Sequence, residues 1–261
     1  MIGLAGCGRM GAPMLAALRS AGFEARGFDV RQTDDPHITT DPQAFAEGLT
    51  TLITVVRDIA QTHEVLFGAQ GFAAIPGLKH ILICSTLSPV YVTGLRDLVP
   101  EGVTLTDAPM SGAQIAAREA RLTFMLGGTE DDIAPVRPLL QAMGTTLHPM
   151  GEFGAGMQAK VLNNLLAASS TAMTRLVLDW AQASGLDDKK LLNLIHSSSG
   201  QNWFASGGED IEFFNDGMDP ENTIGILIKD IDSALDAAPP GADTSLPRSV
   251  RDAIRSLKPR G

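Results

Sequence analysis

The sequence predicts an α/β protein, with a doubly wound, largely parallel sheet in the first half and an all-α domain on one long central helix in the second. Two observations carry this prediction. Short apolar runs alternate with amphipathic stretches through the first half, which is typical of a parallel sheet covered by helices. From Ala155 to Ser184 the chain has no proline and only three charged residues, so one long buried helix is expected there.

The strand candidates of the first half are short apolar runs, and amphipathic helices are expected between several of them. In chain order the strands are Met1–Ala5, Glu24–Phe28, Thr51–Val56, His80–Cys84, Val103–Thr106, Leu122–Leu126 and Thr145–His148. The helices are Arg9–Ala21, Asp58–Phe67, Pro89–Val99 and Asp131–Met143. The last strands follow one another closely, which favours some antiparallel pairing at that end of the sheet.

The second half changes character after Gly151-Glu152-Phe153-Gly154, which predicts two domains, 1–152 and 153–261. Beyond the long helix, further helices are expected at Asp187–His196, Asn222–Ala237 and Leu246–Leu257. The nearly uncharged long helix favours a homo-oligomer, a dimer or tetramer, because such a surface packs against other helices.

Composition excludes several function classes. Lys and Arg number 20 against 30 Asp and Glu, a net charge of −10 with no basic run, so nucleic-acid and anionic-membrane partners are not expected. Two cysteines, Cys7 and Cys84, cannot form a disulfide framework, and no uncharged run is long enough to span a membrane. A soluble cytoplasmic protein is therefore predicted. The five histidines are scattered without ligand spacing, so no metal site is expected.

A glycine fingerprint, Gly6-Cys7-Gly8-Arg9-Met10-Gly11, follows the first strand and opens the first helix. Glycines at these positions permit a tight turn, close approach of a pyrophosphate and close helix–strand packing. Asp29 follows the second strand, where a carboxylate accepts hydrogen bonds from an adenosine ribose. The sequence thus predicts a Rossmann-type domain that binds NAD, because Asp29 repels a 2′-phosphate. Arg31 would meet that phosphate, so NADP stays possible.

Lys160 and Asn164 lie four residues apart in the long helix, so one helix face presents both side chains. The residues around them are almost all Ala, Leu, Val and Met. A lysine in apolar surroundings has a lowered pKa and exchanges protons near neutrality, and an amide one turn away can orient a hydroxyl or carboxylate.

Four segments in order resemble the motifs of the β-hydroxyacid dehydrogenase family, which contains 3-hydroxyisobutyrate dehydrogenases and tartronate semialdehyde reductases. They are the cofactor start Gly3–Met14, the substrate motif Asp107-Ala108-Pro109-Met110-Ser111-Gly112, the catalytic segment Gly154–Asn164 and the late signature Ile228-Lys229-Asp230. Because these matches span almost the whole chain, it is identified as a member of that family.

The resemblance implies an NAD(P)-dependent oxidoreductase that transfers a hydride between a small β-hydroxy acid and the nicotinamide. It implies that Lys160 is the general acid/base. The residues that it implies for substrate binding are Ser111, Gly112, Asn163 and Asn164. The residues that it assigns to the cofactor are Gly6, Gly8, Arg9, Met10, Gly11, Asp29, Val56, Arg57, Ser85, Thr86 and Lys229, with Asp230 beside the last.

Two other functions remain open. An imine reductase has a similar architecture, but such enzymes usually lack the catalytic lysine. A non-catalytic dinucleotide-binding module would need neither Lys160 nor Asn164.

The chain also departs from the family pattern. Ala113 and Ala120 stand where glycine is usual, and Arg57 where proline is usual. Only eight residues separate Asp29 from Ile38, too few for the usual crossover helix, and the last helices are expected to be cut short.

Overall fold

The computed structural model describes residues 1–260, and the chain divides into two compact units, Met1–Lys160 and the residues from Val161 onward. The strands are β1 Ile2–Ala5, β2 Ala25–Phe28, β3 Ile38–Thr39, β4 Thr51–Thr54, β5 His80–Ile83, β6 Thr104–Asp107, β7 Met110–Ser111, β8 Leu122–Gly127 and β9 Gly144–Gly151. No helix within residues 1–260 is long and apolar enough to cross a membrane.

The α-helices alternate with these strands and then run without strands to the end of the described chain. In the first unit they are α1 Gly11–Ser20, α2 Pro42–Ala46, α3 Ile59–Phe67, α4 Pro89–Gly94, α5 Ala113–Arg118, α6 Glu130–Ile133 and α7 Arg137–Met143. The long helix α8 Ala155–Ala183 follows, and then α9 Asp188–His196, α10 Trp203–Gly207, α11 Thr223–Asp236 and α12 Ser245–Arg255. Short 3-10 helices occupy Phe72–Ala74, Leu95–Asp97 and Gly208–Asp210.

All the strands belong to one sheet of the first unit, ordered β3-β2-β1-β4-β5-β6-β8-β7, with β9 beside β8. The run from β3 to β6 is parallel, and its order is that of a Rossmann fold. Strand β8 is antiparallel to β6 and β7, as the close spacing of the last strands predicts. The predicted fold class is therefore confirmed.

Apolar side chains cover both faces of the sheet. Neighbouring residues of β4, Leu52 and Ile53, belong to different buried clusters, because successive side chains of a strand point to opposite faces. One cluster includes the aromatic group Phe28, Phe45 and Phe72, whose ring centroids lie 4.7–5.4 Å apart. Helices pack on both faces, because α1, α5 and α7 contribute buried residues to one cluster and α2, α3 and α4 to the other.

The crossover helix expected to be missing is absent from the described connection. Residues 29–37 join β2 to β3 without a helix, and β3 still pairs in parallel with β2 through Phe28 and Thr39. The next helix, α2, begins after Asp41, whose carboxylate accepts the N–H groups of Gln43 and Ala44.

Two predicted helices are shorter than expected. The helix expected over Asp131–Met143 is split into α6 and α7, because Pro135 and Pro138 each lack the N–H that a continuous helix requires. The helix expected over Pro89–Val99 ends as α4 at Gly94 and continues as a 3-10 turn.

The long helix α8 is present, but the prediction that it is buried all round is wrong for a single chain. One side packs inward through residues such as Ala168 and Leu178. The opposite side carries exposed apolar residues spaced by four, seven, three and four positions, which we call the α8 stripe: Leu162, Leu166, Met173, Leu176 and Trp180. In the single chain this side of α8 is therefore an exposed apolar face.

The second unit is held together around Arg175, which is only 1% exposed. Its guanidinium donates to the carbonyl oxygens of Phe214 (2.9 Å), Asp216 (2.8 Å) and Lys258 (2.5 Å). Nearby, Arg260 pairs with Asp179 and Asp188. Burial lowers the pKa of Arg175, and the carbonyl dipoles compensate part of the lost hydration.

Candidate active site

The carboxyl ends of the five central parallel strands lie in one line. Phe28, Ala5, Thr54, Ile83 and Asp107 are the last residues of β2, β1, β4, β5 and β6, and each is the register partner of its neighbour. The residues that follow them along the chain therefore meet at one edge, which we call the carboxyl edge. In open α/β sheets this edge is where ligands bind.

The glycine fingerprint forms the turn from β1 to α1 at the carboxyl edge. Gly6 has a φ of 96°, and a Cβ there would lie 2.4 Å from the carbonyl oxygen of Val55. A Cβ on Gly11 would lie 1.9 Å from the carbonyl oxygen of Gly6, so only glycine lets α1 begin this close to β1. The first turn of α1 carries no acidic residue, which leaves its positive end suited to a diphosphate.

Asp29 lies directly beyond β2 at the same edge and is buried. Its Oδ1 accepts the backbone N–H of Arg31 at 2.9 Å and lies 3.2 Å from Arg31 Nε. Nη2 of the same arginine lies 3.4 Å from the position of a Cβ on Gly8. Arg31 therefore spans from the Asp29 carboxylate to the fingerprint loop, although its own side chain is exposed.

Two further loops complete the predicted cofactor side of the carboxyl edge. The backbone N–H of Val56, beyond β4, donates to Ser85 Oγ at 2.8 Å, which ties the loop after β4 to the loop after β5. Arg57 and Thr86 follow these two residues and are both half-buried.

The predicted substrate motif follows β6. Ser111 ends β7 and pairs with Thr123 of β8, and Gly112 has a φ of 133°. Both residues are accessible at the start of α5. The alanines predicted to depart from the glycine pattern, Ala113 and Ala120, have φ values of 54° and 51°, the left-handed region that favours glycine.

Lys160 lies in the second turn of α8 and is 7% exposed. The helix begins under a carboxylate from β6: Asp107 Oδ1 accepts the N–H of Gly154 at 2.7 Å and Oδ2 accepts that of Met157 at 2.5 Å. Burial raises the pKa of Asp107, and these two hydrogen bonds oppose that rise.

In the second unit, Asp230 joins two of the predicted residues. Asn164 Nδ2 donates to Asp230 Oδ2 at 2.6 Å, while Lys229 Nζ lies 2.7 Å from Asp230 Oδ1. Asn163 is exposed, and its amide donates to Asn164 Oδ1 at 3.2 Å. Asp230 itself is buried, so the network has a fixed centre.

The predicted residues thus fall into two groups, one in each unit. The sequence did not indicate the contacts of three residues: Asp107, Asp230 and Ser85. Asp107 ends a strand whose other residues are apolar or Thr, which is the signal that a buried carboxylate leaves in a sequence. Ser85 Oγ contacts the loop after β4, and the Asp230 carboxylate contacts Asn164 of α8. Local sequence patterns do not predict such contacts.

Comparison with known proteins decides the family. Residues 1–151 match the model of the NAD binding domain of 6-phosphogluconate dehydrogenase. Residues 154–258 match the NAD-binding model of NADP-dependent 3-hydroxyisobutyrate dehydrogenase. The chain belongs to the β-hydroxyacid dehydrogenase family.

Two curated members of the β-hydroxyacid dehydrogenase family illustrate the similarity. Mitochondrial 3-hydroxyisobutyrate dehydrogenase of Mus musculus is 33% identical over 211 residues, which cover 77% of this chain and 63% of the mouse enzyme. NAD-dependent L-serine dehydrogenase of Pseudomonas aeruginosa is 32% identical over 212 residues, covering 77% and 71%. These relatives support an NAD(P)-dependent oxidoreductase acting on a CH–OH group.

Solved structures agree with this membership. The Mycobacterium tuberculosis 3-hydroxyisobutyrate dehydrogenase with L-serine has a TM-score of 0.78 and 26% identity, covering 98% of this chain and 95% of that one. An imine reductase of Streptomyces aurantiacus shares the fold, with a TM-score of 0.66, 18% identity and coverage of 98% and 96%.

Proposed function

We propose that this protein is an NAD(P)-dependent dehydrogenase of a small β-hydroxy acid, with Lys160 as the general acid/base. The observation that carries the proposal is the buried Lys160, which precedes Asn164 by four residues in α8. An amine at this depth, one helix turn from an amide, is suited to exchange a proton with a substrate hydroxyl. The names of the relatives, which include L-serine and 3-hydroxyisobutyrate dehydrogenases, support the substrate class.

In this proposal Lys160 Nζ meets the substrate hydroxyl, Ser111 and Gly112 bind the carboxylate, and Asn164, assisted by Asn163, orients the hydroxyl. In the oxidation direction the O–H bond breaks and its proton passes to neutral Lys160. The C–H bond of the carbinol carbon breaks with its electron pair, and the C=O bond forms. Bound NAD(P)+ supplies the hydride acceptor for this chemistry.

We further propose that NAD is preferred over NADP. Asp29 is buried directly beyond β2, and in this proposal its carboxylate accepts hydrogen bonds from the ribose hydroxyls and repels a 2′-phosphate. Arg31 partly offsets this repulsion through its ion pair with Asp29, so NADP is expected as the weaker cofactor and not as an excluded one.

The two alternatives make different predictions for the same residues. An imine reductase would reduce cyclic imines with NADPH and would not depend on Lys160. A non-catalytic module would bind the dinucleotide and oxidise nothing. Lys160, Ser111 and the Asn164–Asp230 pair favour the dehydrogenase, because neither alternative uses this combination.

The test measures NADH formation with 3-hydroxyisobutyrate, L-serine and L-threonate, for the unmodified protein and for Lys160→Ala. We expect turnover with at least one acid and a fall of about 10²–10⁴-fold in kcat for the variant. NADH binding, followed by fluorescence, should be unchanged. The matched control is Lys190→Ala, an exposed lysine of α9, which should retain full activity.

Three outcomes would contradict this proposal. No oxidation of any acid by protein that binds NADH favours the non-catalytic module. Imine reduction that survives Lys160→Ala favours the imine reductase. Full activity of Lys160→Ala with a hydroxy acid removes Lys160 from the mechanism.

We propose the organisation 1–152 for the nucleotide-binding domain and 153–261 for the helical domain. The family matches to residues 1–151 and 154–258 support this boundary. We also place the protein in the cytoplasm. Its two cysteines are free and buried, which agrees with a reducing compartment.

We propose that a second copy of the chain covers the α8 stripe in a homodimer. Its residues occupy the four-three positions of a helix–helix seam, with Ser169 at the position between Leu166 and Met173, and Leu166 is 72% exposed in the single chain. Leu166→Glu should convert the dimer to a monomer in analytical ultracentrifugation. Leu246→Glu, at a 70% exposed leucine of α12, should not. A monomeric unmodified protein would exclude this assembly.

A further inference from the structure

Asp107 connects the strand that precedes the substrate motif to the helix that carries Lys160. It is completely buried, and its carboxylate accepts the N–H groups of Gly154 and Met157, which are 47 and 50 residues away in the chain. These two N–H groups lie at the start of α8, where a helix has no internal acceptors for them. A carboxylate in this position also complements the positive end of the helix.

The other α-helices that have a side-chain cap obtain it locally, from the residue just before the helix. The capping residues are Asp41, Asp58, Ser88, Thr129, Asp187, Asn202 and Asn222. In α8 the corresponding residue is Gly154, which has no side chain and a φ of 97°. The cap of α8 therefore comes from the sheet. It fixes the position of the helix relative to the sheet as well as the residue at which the helix begins.

Two glycines make room for this carboxylate. A Cβ on Gly127, the register partner of Asp107 in β8, would lie 2.0 Å from Oδ1. A Cβ on Gly156 would lie 2.9 Å from Oδ2 and 2.4 Å from the carbonyl oxygen of Met125. The start of α8 is thus packed directly on the backbone of β8, and Asp107 is the polar contact within that packing.

The substrate motif is anchored on the same strand. Asp107 pairs with Gly127 of β8 and Ser111 pairs with Thr123 of β8, so both ends of the 107–111 segment are fixed to one strand. On the other side, Lys160 follows Met157 by three residues, about 4.5 Å along the helix axis. The backbone of Asp107 therefore belongs to the segment that carries the substrate motif, while its side chain binds the start of the helix that carries Lys160.

We propose that Asp107 is a positioning residue for the reaction: its carboxylate sets where Lys160 stands relative to Ser111 and Gly112. The inference rests on the proposed function, in which Lys160 moves the proton and Ser111 and Gly112 hold the acid. Asp107 touches neither substrate nor cofactor. It acts through the first turn of α8, so its loss should slow the chemical step and leave cofactor binding unchanged.

The experiment compares Asp107→Asn with Asp41→Asn. Each variant replaces a capping carboxylate that accepts two backbone N–H groups by an amide of the same shape, and Asp41 caps α2 away from the predicted substrate motif. For Asp107→Asn we expect kcat to fall about 100-fold, the scale of a small misplacement of a catalytic group. The deuterium isotope effect of a substrate labelled at the carbinol carbon should rise. The KM for NAD should stay within about twofold, because displacement of Lys160 should not change the affinity for the cofactor.

A purely structural cap would give a different pattern. Asp107→Asn would then lower the melting temperature as Asp41→Asn does, with kcat and the isotope effect unchanged in both, and this result would overturn the inference. If Asp107→Asn does not fold, Asp107→Ser is measured in the same way, since its hydroxyl accepts one N–H without opposing the other. Wild-type kcat in that folded variant would likewise reject the role.

The failure of this inference is distinguishable from failure of the proposed function. If the unmodified protein oxidises no hydroxy acid, the proposed function itself is wrong. If the unmodified protein is active, Lys160→Ala is inactive and Asp107→Asn keeps wild-type kcat, only the positioning role is wrong.

Discussion

Asp230 binds Asn164 through one carboxylate oxygen and Lys229 through the other, at 2.6 Å and 2.7 Å. One buried carboxylate thus orients an amide on α8 and an ammonium on α11, the two groups that the proposed function assigns to substrate and cofactor. Because Asn164 and Lys229 lie on different helices, the geometry of this network depends on the single side chain of Asp230.

Asp230→Ala is expected to lower kcat/KM for the hydroxy acid by about 10–100-fold, the value of a charge-assisted hydrogen bond left unmade. Steady-state kinetics at saturating cofactor measures this change. Asp232→Ala is the matched control, because Asp232 lies two residues on in α11 and pairs with Arg251 at a more exposed position. Equal kinetics for both variants would show that Asp230 does not order the site.

Arg31 is expected to determine how well NADP is used. Arg31→Ala removes the cation between Asp29 and the fingerprint loop, so kcat/KM with NADP should fall about 10-fold, while that with NAD stays within about twofold. Arg137→Ala, which breaks an arginine pair with Glu130 elsewhere in the same unit, is the control. An unchanged ratio of kcat/KM with NADP to kcat/KM with NAD would show that Arg31 does not contact the 2′-phosphate.

Ala120→Gly is expected to stabilise the protein by about 0.5–1 kcal/mol. The left-handed backbone costs an L-residue about 1–2 kcal/mol, and glycine removes this cost. The greater conformational entropy of glycine in the unfolded chain cancels part of the stabilisation. Thermal unfolding should show a rise of about 1–4 °C. Ala16→Gly, at an exposed position inside α1, should shift the melting temperature downward. A lower melting temperature for Ala120→Gly would contradict this account.

The two cysteines are expected to be unreactive in the native protein. Burial, followed by the charge of Asp29, raises the pKa of Cys7 to about 12, and burial also raises that of Cys84. Because the thiolate is the reactive form, titration with a disulfide reagent at pH 8 should detect no thiol until denaturant releases both. Rapid reaction of one equivalent would reveal an activated thiol within the glycine fingerprint.

The sequence predicted the features that arise from local patterns. The alternating strands, the fingerprint turn and the long helix each follow from periodicity or glycine spacing, and all are present. The helices α2, α5 and α10 were not predicted, because five or six residues are too few to establish a helical period. The two-residue strands β3 and β7 were not predicted for the same reason.

What the sequence did not predict depends on residues far apart in the chain. The long-range cap from Asp107 to α8 joins positions 47 and 50 residues apart, and no spacing rule connects them. The uncharged composition of α8 predicted burial on all sides, but the side that carries the α8 stripe is exposed in the single chain. Composition alone does not distinguish a helix face that packs within the chain from one that stays exposed.

The interior position of Arg175 has a consequence for proteolysis. Lys258 and Arg260 belong to a segment without regular secondary structure, the kind of segment that proteases usually trim without harm. Here such clipping would remove one of the three carbonyls around a buried guanidinium and the cation that pairs with Asp179 and Asp188. Loss of these few residues would therefore act like a core mutation in the second unit.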